Sequence, residues 1–293
     1  MIIDLQNLQP AEKQYYLQHV VAPRPICLAS TIDRNGQVNL SPFSFFNMFS
    51  SNPPILIFSP ARRVRDNTTK HTLENVREVP EVGIHIVTAG MVQQVSLASC
   101  EYPRGVNEFV KAGFTQQAAD LIRPPLVKES PVKMECRVNG IHELGSGNGA
   151  GNLVICEVLR MHIDDALFED GKKLDQRRFR QVARLGGDWY CVAGPENLFH
   201  VEKPNTKLGI GFDALPEAIR QSPVLTGNHL AQLANVHQLP EVDPSFEDSH
   251  LRQILQYYRV NPDELERELH GYARKLLDAG KVTEAWQVLL TAD

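Results

Sequence analysis

The sequence predicts a mainly β barrel with short α-helices, antiparallel and Greek-key in order, followed by a C-terminal helical extension. Three observations lead there. Between residues 26 and 163 at least six short runs read as strands. The helical stretches between them are too brief for the long crossovers that a parallel sheet requires. Near residue 205 the strand signals stop and proline-punctuated helical repeats take over. Two parts are therefore expected, residues 1–204 and 205–293.

Each element follows from its local pattern. Residues 26–32 are apolar and β-rich and end at Asp33-Arg34-Asn35-Gly36, a turn whose glycine accepts positive φ; residues 38–40 return to complete a hairpin. Residues 55–58 make a short apolar strand behind two prolines, and residues 82–87 make another. Residues 72–79 between them read as a helix with Leu73 and Val76 on its inner face. Residues 91–99 read as helical, since Met91, Val95 and Ala98 share a side. In residues 131–138 the alternation points Val132, Met134, Cys136 and Val138 inward and Lys133, Glu135 and Arg137 outward. A glycine-rich turn, Gly145-Ser146-Gly147-Asn148-Gly149, then leads to a long β run over residues 152–163.

In the C-terminal part, Asn261-Pro262-Asp263-Glu264 is a helix start: a capping amide, proline at the first position and acids in the first turn. Leu265, Leu269, Ala273, Leu276 and Leu277 repeat at helical spacing up to a stop at Gly280. Val282, Ala285, Trp286, Leu289 and Leu290 form a second apolar stripe, so a helical cap on the barrel or on a partner subunit is expected.

Composition narrows the function classes. Charged residues are 22% and the hydrophobic class 42%, enough for a sizeable core. The net charge is −5 without a basic block, which argues against nucleic acid. The N-terminus lacks a signal-peptide pattern, and no apolar run approaches the ~18 residues of a membrane span. The five cysteines are scattered without a Cys-x-x-Cys pair and read as reduced, buried thiols of a cytoplasmic protein. The ten histidines show no ligand spacing, so no metal is expected.

The informative stretch runs from Pro23 to Thr72. It contains Pro23-Arg24-Pro25-Ile26, Ser30-Thr31, residues 39–47 (Asn-Leu-Ser-Pro-Phe-Ser-Phe-Phe-Asn), Pro53-Pro54, Phe58-Ser59 and Lys70-His71-Thr72. Residues 99–109 and Arg184-Leu185-Gly186-Gly187-Asp188-Trp189-Tyr190 follow downstream. In this order the motifs resemble the flavin reductase-like family with the FMN-binding split β-barrel fold, over roughly residues 15–195.

That resemblance implies bound FMN, NADH or NADPH as reductant, a homodimer, and a flavin, an oxygenase or another electron acceptor as partner. Backbone groups of Ser30 and Thr31 and of a turn over residues 44–47, with Ser44, Phe45 and the Asn47 amide, are expected to meet the flavin ring edge. Ser59 belongs to the same motif set. Lys70 supplies a compact positive charge and Thr72 a hydroxyl at a helix start, where free N–H groups favour a phosphate. Arg62, Arg63 and Arg65 add positive potential. Trp189 and Tyr190 either shield the ring or pack in the core, and Glu108 reads as a structural loop carboxylate. No catalytic residue stands out. His71 departs from the aspartate common at the middle of the family's Lys-x-Thr, which puts any role of that position in doubt. No Gly-x-Gly-x-x-Gly follows a strand, so the nicotinamide would stack directly on the flavin. The second reading is a flavin-binding electron carrier without its own NAD(P)H oxidase activity.

Overall fold

Gln9 and Glu12 form a capping box around the start of the first helix, α1 (Pro10–Val20), and Pro10 stands at its first position. The sequence pattern does not predict this helix, because its apolar residues do not gather on one face and none of its residues is buried. The computed structural model describes residues 1–201, 203–204 and 208–291. The expected boundary at 204/205 touches residue 205, which lies outside that set. The chain divides into two compact units, Met1–Phe199 and His200–Asp293.

In the first unit, β1 (Arg24–Pro25) leads into β2 (Cys27–Ile32), which turns at Gly36 (φ +81°) into β3 (Val38–Phe43). This is the expected antiparallel hairpin, with Ser30 opposite Leu40. After Ser44 and Phe45 the chain enters β4 (Phe46–Ser51) and then β5 (Pro54–Phe58). The turn expected over residues 44–47 is therefore shorter. Pairing of Phe46 with Phe58 and of Asn47 with Ile57 draws both residues into the sheet. The helix α2 (His71–Glu78) leads to β6 (Glu81–Ile86). Next come α3 (Val92–Leu97), α4 (Glu108–Ala112) and a small ribbon of β7 (Gln116–Gln117) with β8 (Leu126–Val127). The long strands β9 (Val132–Glu143) and β10 (Asn152–Ile163) flank the glycine-rich turn. A second ribbon, β11 (Phe168–Glu169) with β12 (Lys173–Leu174), precedes β13 (Gln181–Arg184) and β14 (Tyr190–Ala193).

Seven strands form the main sheet in the order β3-β2-β6-β9-β10-β5-β4, with antiparallel neighbours throughout. A three-stranded sheet, β1-β13-β14, accompanies it. Every residue of β2 is buried, as a strand covered on both faces requires. Cys27 and Ala29 face one core with Phe43, Phe58, Ile84, Val154 and the Leu73 and Val76 of α2. Leu28 faces a second core with Leu40, Val95, Phe109 and Val182. Met91, Val95 and Ala98 are all buried, as their spacing predicts.

Two expectations need correction. Glu135, expected to face solvent, is fully buried. The chain near residue 120 covers that face of β9, and the backbone N–H groups of Asp120 and Leu121 and the ring of His162 surround its carboxylate. Burial alone would raise the pKa of Glu135, but these hydrogen bonds outweigh it and the carboxyl titrates below its ordinary range. The cysteines are not uniformly buried either. Cys27, Cys136 and Cys156 are, whereas Cys100 is exposed in the loop after α3 and Cys191 is half-buried on the edge strand β14.

The second unit is helical. It contains α5 (Glu217–Arg220), α6 (Gly227–Ala234), α7 (Ser249–Tyr257), α8 (Pro262–Asp278) and α9 (Val282–Leu290). Asn261 caps α8 and Pro262 opens it, as the sequence indicates. The turn to α9 passes through Gly280 at φ +73°. Leu269, Ala273, Leu277, Ala285 and Trp286 form the centre of its core with Leu233. Trp286 Nε1 donates to the Leu233 carbonyl at 3.3 Å, which satisfies its one polar atom. Among the described residues no helix is long and apolar enough to cross a membrane.

One buried polar group ties β2, β6 and β8 together. His85 is fully buried; its Nδ1 donates to the Leu28 carbonyl at 2.7 Å, and its Nε2 accepts from the Val127 N–H at 3.0 Å. Only the neutral ring satisfies both bonds, and burial lowers its pKa to about 4. The unfolded chain, with an ordinary histidine, binds a proton in the interval between about 6.5 and 4 that the folded chain refuses. Stability contributed by His85 is therefore complete above that interval and lost as pH falls through it. The expected loss is on the order of 3 kcal/mol, read from urea midpoints across that range. A His85→Gln variant should show a flatter profile.

Candidate functional site

A cavity of about 860 Å³ opens between α1, the loop that follows β5 and the glycine-rich turn before β10. Its size suits a cofactor-sized ligand. The two loops are stitched together. Arg62 N–H donates to the Ala150 carbonyl at 2.8 Å, Asn148 Nδ2 to the Val64 carbonyl at 2.6 Å, and Asn67 Nδ2 to the Ser146 carbonyl at 3.0 Å. Asn67 adopts φ +59°, a conformation asparagine tolerates better than most residues, and so aims its side chain at Arg62.

The lining is strongly cationic. Lys13, Arg24, Arg62, Arg63, Arg65 and Lys70 border the cavity against one acid, Glu101. Arg62 spends its guanidinium on Asn67, through Nε to Oδ1 and Nη2 to the carbonyl, both at 2.7 Å. Arg63 and Arg65 share Glu101. The Lys70 ammonium has no hydrogen-bond or ion-pair partner among the described residues. It is half-buried, with Nζ 5.9 Å from the centre of the Phe43 ring. Burial, then the charge of Arg63, lowers its pKa.

Lys70 is also the cap residue of α2, and no side chain caps that helix end. The N–H groups of its first turn, at His71 and Thr72, lack intrahelical acceptors. The helix is held there by buried polar bonds. Thr72 Oγ1 donates to Asn39 Oδ1 at 2.7 Å, and Asn39 Nδ2 donates to Glu108 Oε1 at 3.0 Å. The other oxygen of Glu108 accepts from the Leu40 N–H at 3.0 Å. Burial raises the pKa of Glu108 in spite of these donors. Glu108 is thus a structural carboxylate that fixes β3, and through Asn39 the start of α2.

A second cavity, about 230 Å³, adjoins the first across Gln18 and Arg24 and is bordered by Phe43, Ser44, Arg184 and Tyr190. Arg24 is buried and clasps three carbonyls, those of Gln18 and Val21 at 2.6 Å and of Leu185 at 2.9 Å. Its Nε has no partner. Burial, then the nearby Arg184, lowers the pKa of Arg24. The Arg184 guanidinium lies 4.4 Å from the centre of the Tyr190 ring.

The structure thus gathers six of the residues singled out in the sequence. Phe45, Arg62 and Lys70 border the large cavity, Ser44 and Tyr190 the smaller one, and Thr72 lies in a cleft beyond Lys70. Four lie elsewhere. Ser30 is buried with its strand paired on both sides, and its hydroxyl points to the Gly83 carbonyl. Thr31 Oγ1 accepts from Asn75 Nδ2 at 3.1 Å. Asn47 sits exposed on β4 and turns its Oδ1 back to the Met48 N–H. Ser59 is buried and accepts from the Asn152 N–H at 3.1 Å. The hydroxyls of Ser30, Thr31 and Ser59 thus bond to the frame, while Asn47 bonds only its own neighbour.

A model of the flavin reductase like domain matches residues 20–183. The chain belongs to the flavin reductase like family. Uncharacterized protein BH2278 of Halalkalibacterium halodurans is 32% identical over 206 residues, 70% of this chain and 97% of that protein. Nitrilotriacetate monooxygenase component B from Bacillus cereus superposes with a TM-score of 0.64 at 26% identity, covering 69% of this chain and 98% of that one. The 2-nitrobenzoate 2-nitroreductase NbaA of Pseudomonas fluorescens shares the fold, with a TM-score of 0.63 at 22% identity over 72% of this chain and all of that one. The architecture is the split barrel of the flavin reductases, with C-terminal helices added.

For this family member the domain match stops short of Tyr190 and begins at the end of α1. Lys13, Glu101 and the turn residues 147–150 border the large cavity without having been singled out as ligands. Their signal in the sequence is faint, since isolated charges and glycines occur on every surface. Arg24 stands in the Pro23-Arg24-Pro25 motif, which by itself assigns it no role.

The polar chain behind α2 makes a direct prediction. Asn39→Ala removes an acceptor from Thr72 and a donor from the buried Glu108. It should lower unfolding stability by about 1–3 kcal/mol in a denaturant titration. Asn39→Asp, which sets a second carboxylate against Glu108, should cost more than the alanine.

Proposed function

We propose that the chain is an FMN-dependent oxidoreductase that takes hydride from NADH or NADPH and passes electrons to a flavin, an oxygenase or another acceptor. The observation that carries this reading is Lys70, a half-buried cation without a partner among the described residues, set at the free N-terminus of α2 on the edge of a cationic cavity. Such a place favours a phosphate twice, through a point charge and through backbone N–H groups. Bound FMN would supply the hydride and electron chemistry.

The chain's own residues bind and orient. Lys70 and the first-turn N–H groups of α2 would hold the phosphate, and Phe45 and the stitched loops would wall the ring. Arg24, fixed by three carbonyls, sets a permanent positive charge beside the ring site and favours an electron-rich occupant. Ser44 and Tyr190 border the neighbouring space, which would admit a nicotinamide. Thr72 acts through its N–H, since its hydroxyl is used by Asn39. An oxygenase partner is supported by the likeness to a monooxygenase component B. A homodimer is supported by the edge strand β4, which exposes Met48 and Phe49.

Purified protein should show flavin absorption near ~370 and ~450 nm, and anaerobic NADH or NADPH should bleach the longer band within a turnover time. Flavin that resists both nucleotides but is reduced by dithionite would replace this reading with the carrier. A colourless chain that binds no added FMN would end both. Lys70→Gln should weaken FMN binding by roughly tenfold to a hundredfold and leave riboflavin binding unchanged.

A further inference from the structure

We propose that Glu101 is a built-in competitor for the flavin phosphate, a carboxylate that occupies the arginines of the site until the cofactor displaces it. The inference rests on the flavin reading above and adds that the flavin is exchanged rather than held permanently.

Four features support it. Glu101 is the only acid bordering the large cavity among the described residues, and with Arg63 and Lys70 it also borders the cleft at the start of α2. It therefore stands where the two spaces meet. It takes the Nε of Arg63 at 2.9 Å and pairs with the guanidinium of Arg65. A carboxylate and a phosphate oxygen ask for the same donors, so each excludes the other. Neither arginine depends on Glu101 for its position. Arg63 Nη1 is anchored to Thr68 Oγ1 at 2.9 Å and to the Thr69 carbonyl at 2.5 Å, and Arg65 Nε to Asp66 at 3.0 Å. Finally, Glu101 lies in the loop after α3 with its side chain 38% exposed, free to swing into water.

Loading the site then exchanges one anion for another. Lys70 and the arginines gain a phosphate, and Glu101 moves out to solvent. The net gain is smaller than the bare cationic site would give, which suits a flavin that must leave. The same geometry makes the phosphate-free part of the ligand indifferent to Glu101.

The test is an equilibrium titration of the full-length chain and of Glu101→Gln with FMN and, separately, with riboflavin. The expected result is about tenfold tighter FMN binding in Glu101→Gln, with a slower FMN release rate, and unchanged riboflavin affinity. An FMN affinity that stays the same or weakens in the variant overturns the proposal and makes Glu101 a positioning residue for the arginines. An equal gain for riboflavin also overturns it, because the effect would not act through the phosphate. A wild-type chain that binds neither flavin overturns the flavin reading itself, and this inference with it.

Discussion

The site depends on the seating of one short helix. Leu73 and Val76 anchor α2 in the barrel core, while Thr72 and Asn75 reach buried partners on β3 and β2. Those contacts fix the helix in direction as well as in place, because apolar burial alone would tolerate rotation about the axis. With the direction fixed, the unsatisfied N–H end and Lys70 have one place to be. Thr31 and Asn39, which bond Asn75 and Thr72, build that seat.

Electrostatics work against the average of the chain. The net charge is −5, yet the large cavity is bordered by six cations and one acid. Neutral acceptors solvate two of these cations, and a carboxylate pairs with two more. Asn67 accepts from Arg62, carbonyls accept from Arg24, and Glu101 pairs with Arg63 and Arg65. The ammonium groups of Lys13 and Lys70 have no hydrogen-bond or ion-pair partner among the described residues. Burial, then the charge of Arg63, lowers the Lys70 pKa, and the charge of Glu101 works against them.

Much of the fold was legible in the sequence, and the reasons are local. The hairpin at Gly36, the buried face of α2 and the cap of α8 each follow from residues within a few positions of one another. What escaped notice depends on distant partners. β4 carries Phe-Asn-Met-Phe-Ser-Ser, which does not alternate, and becomes a strand because β5 lies beside it. Glu135 belongs by pattern on the outside and is covered by a segment some fifteen residues upstream. Lys70 and Phe45, which stand in the sequence motifs, border the large cavity. Ser30, Thr31, Asn47 and Ser59 lie away from both cavities, and hydroxyl and amide groups serve a frame as readily as a ligand.

The scattered thiols divide into two chemical populations. Cys27, Cys136 and Cys156 sit in the barrel core, where burial raises each pKa far above the range in which a thiolate forms. Since only the thiolate reacts, these three are silent while the barrel is closed. Cys100 and Cys191 lie nearer water. The native chain therefore carries its own integrity gauge: a mild alkylating reagent labels the outer pair first, and label on the inner three records each opening of the barrel.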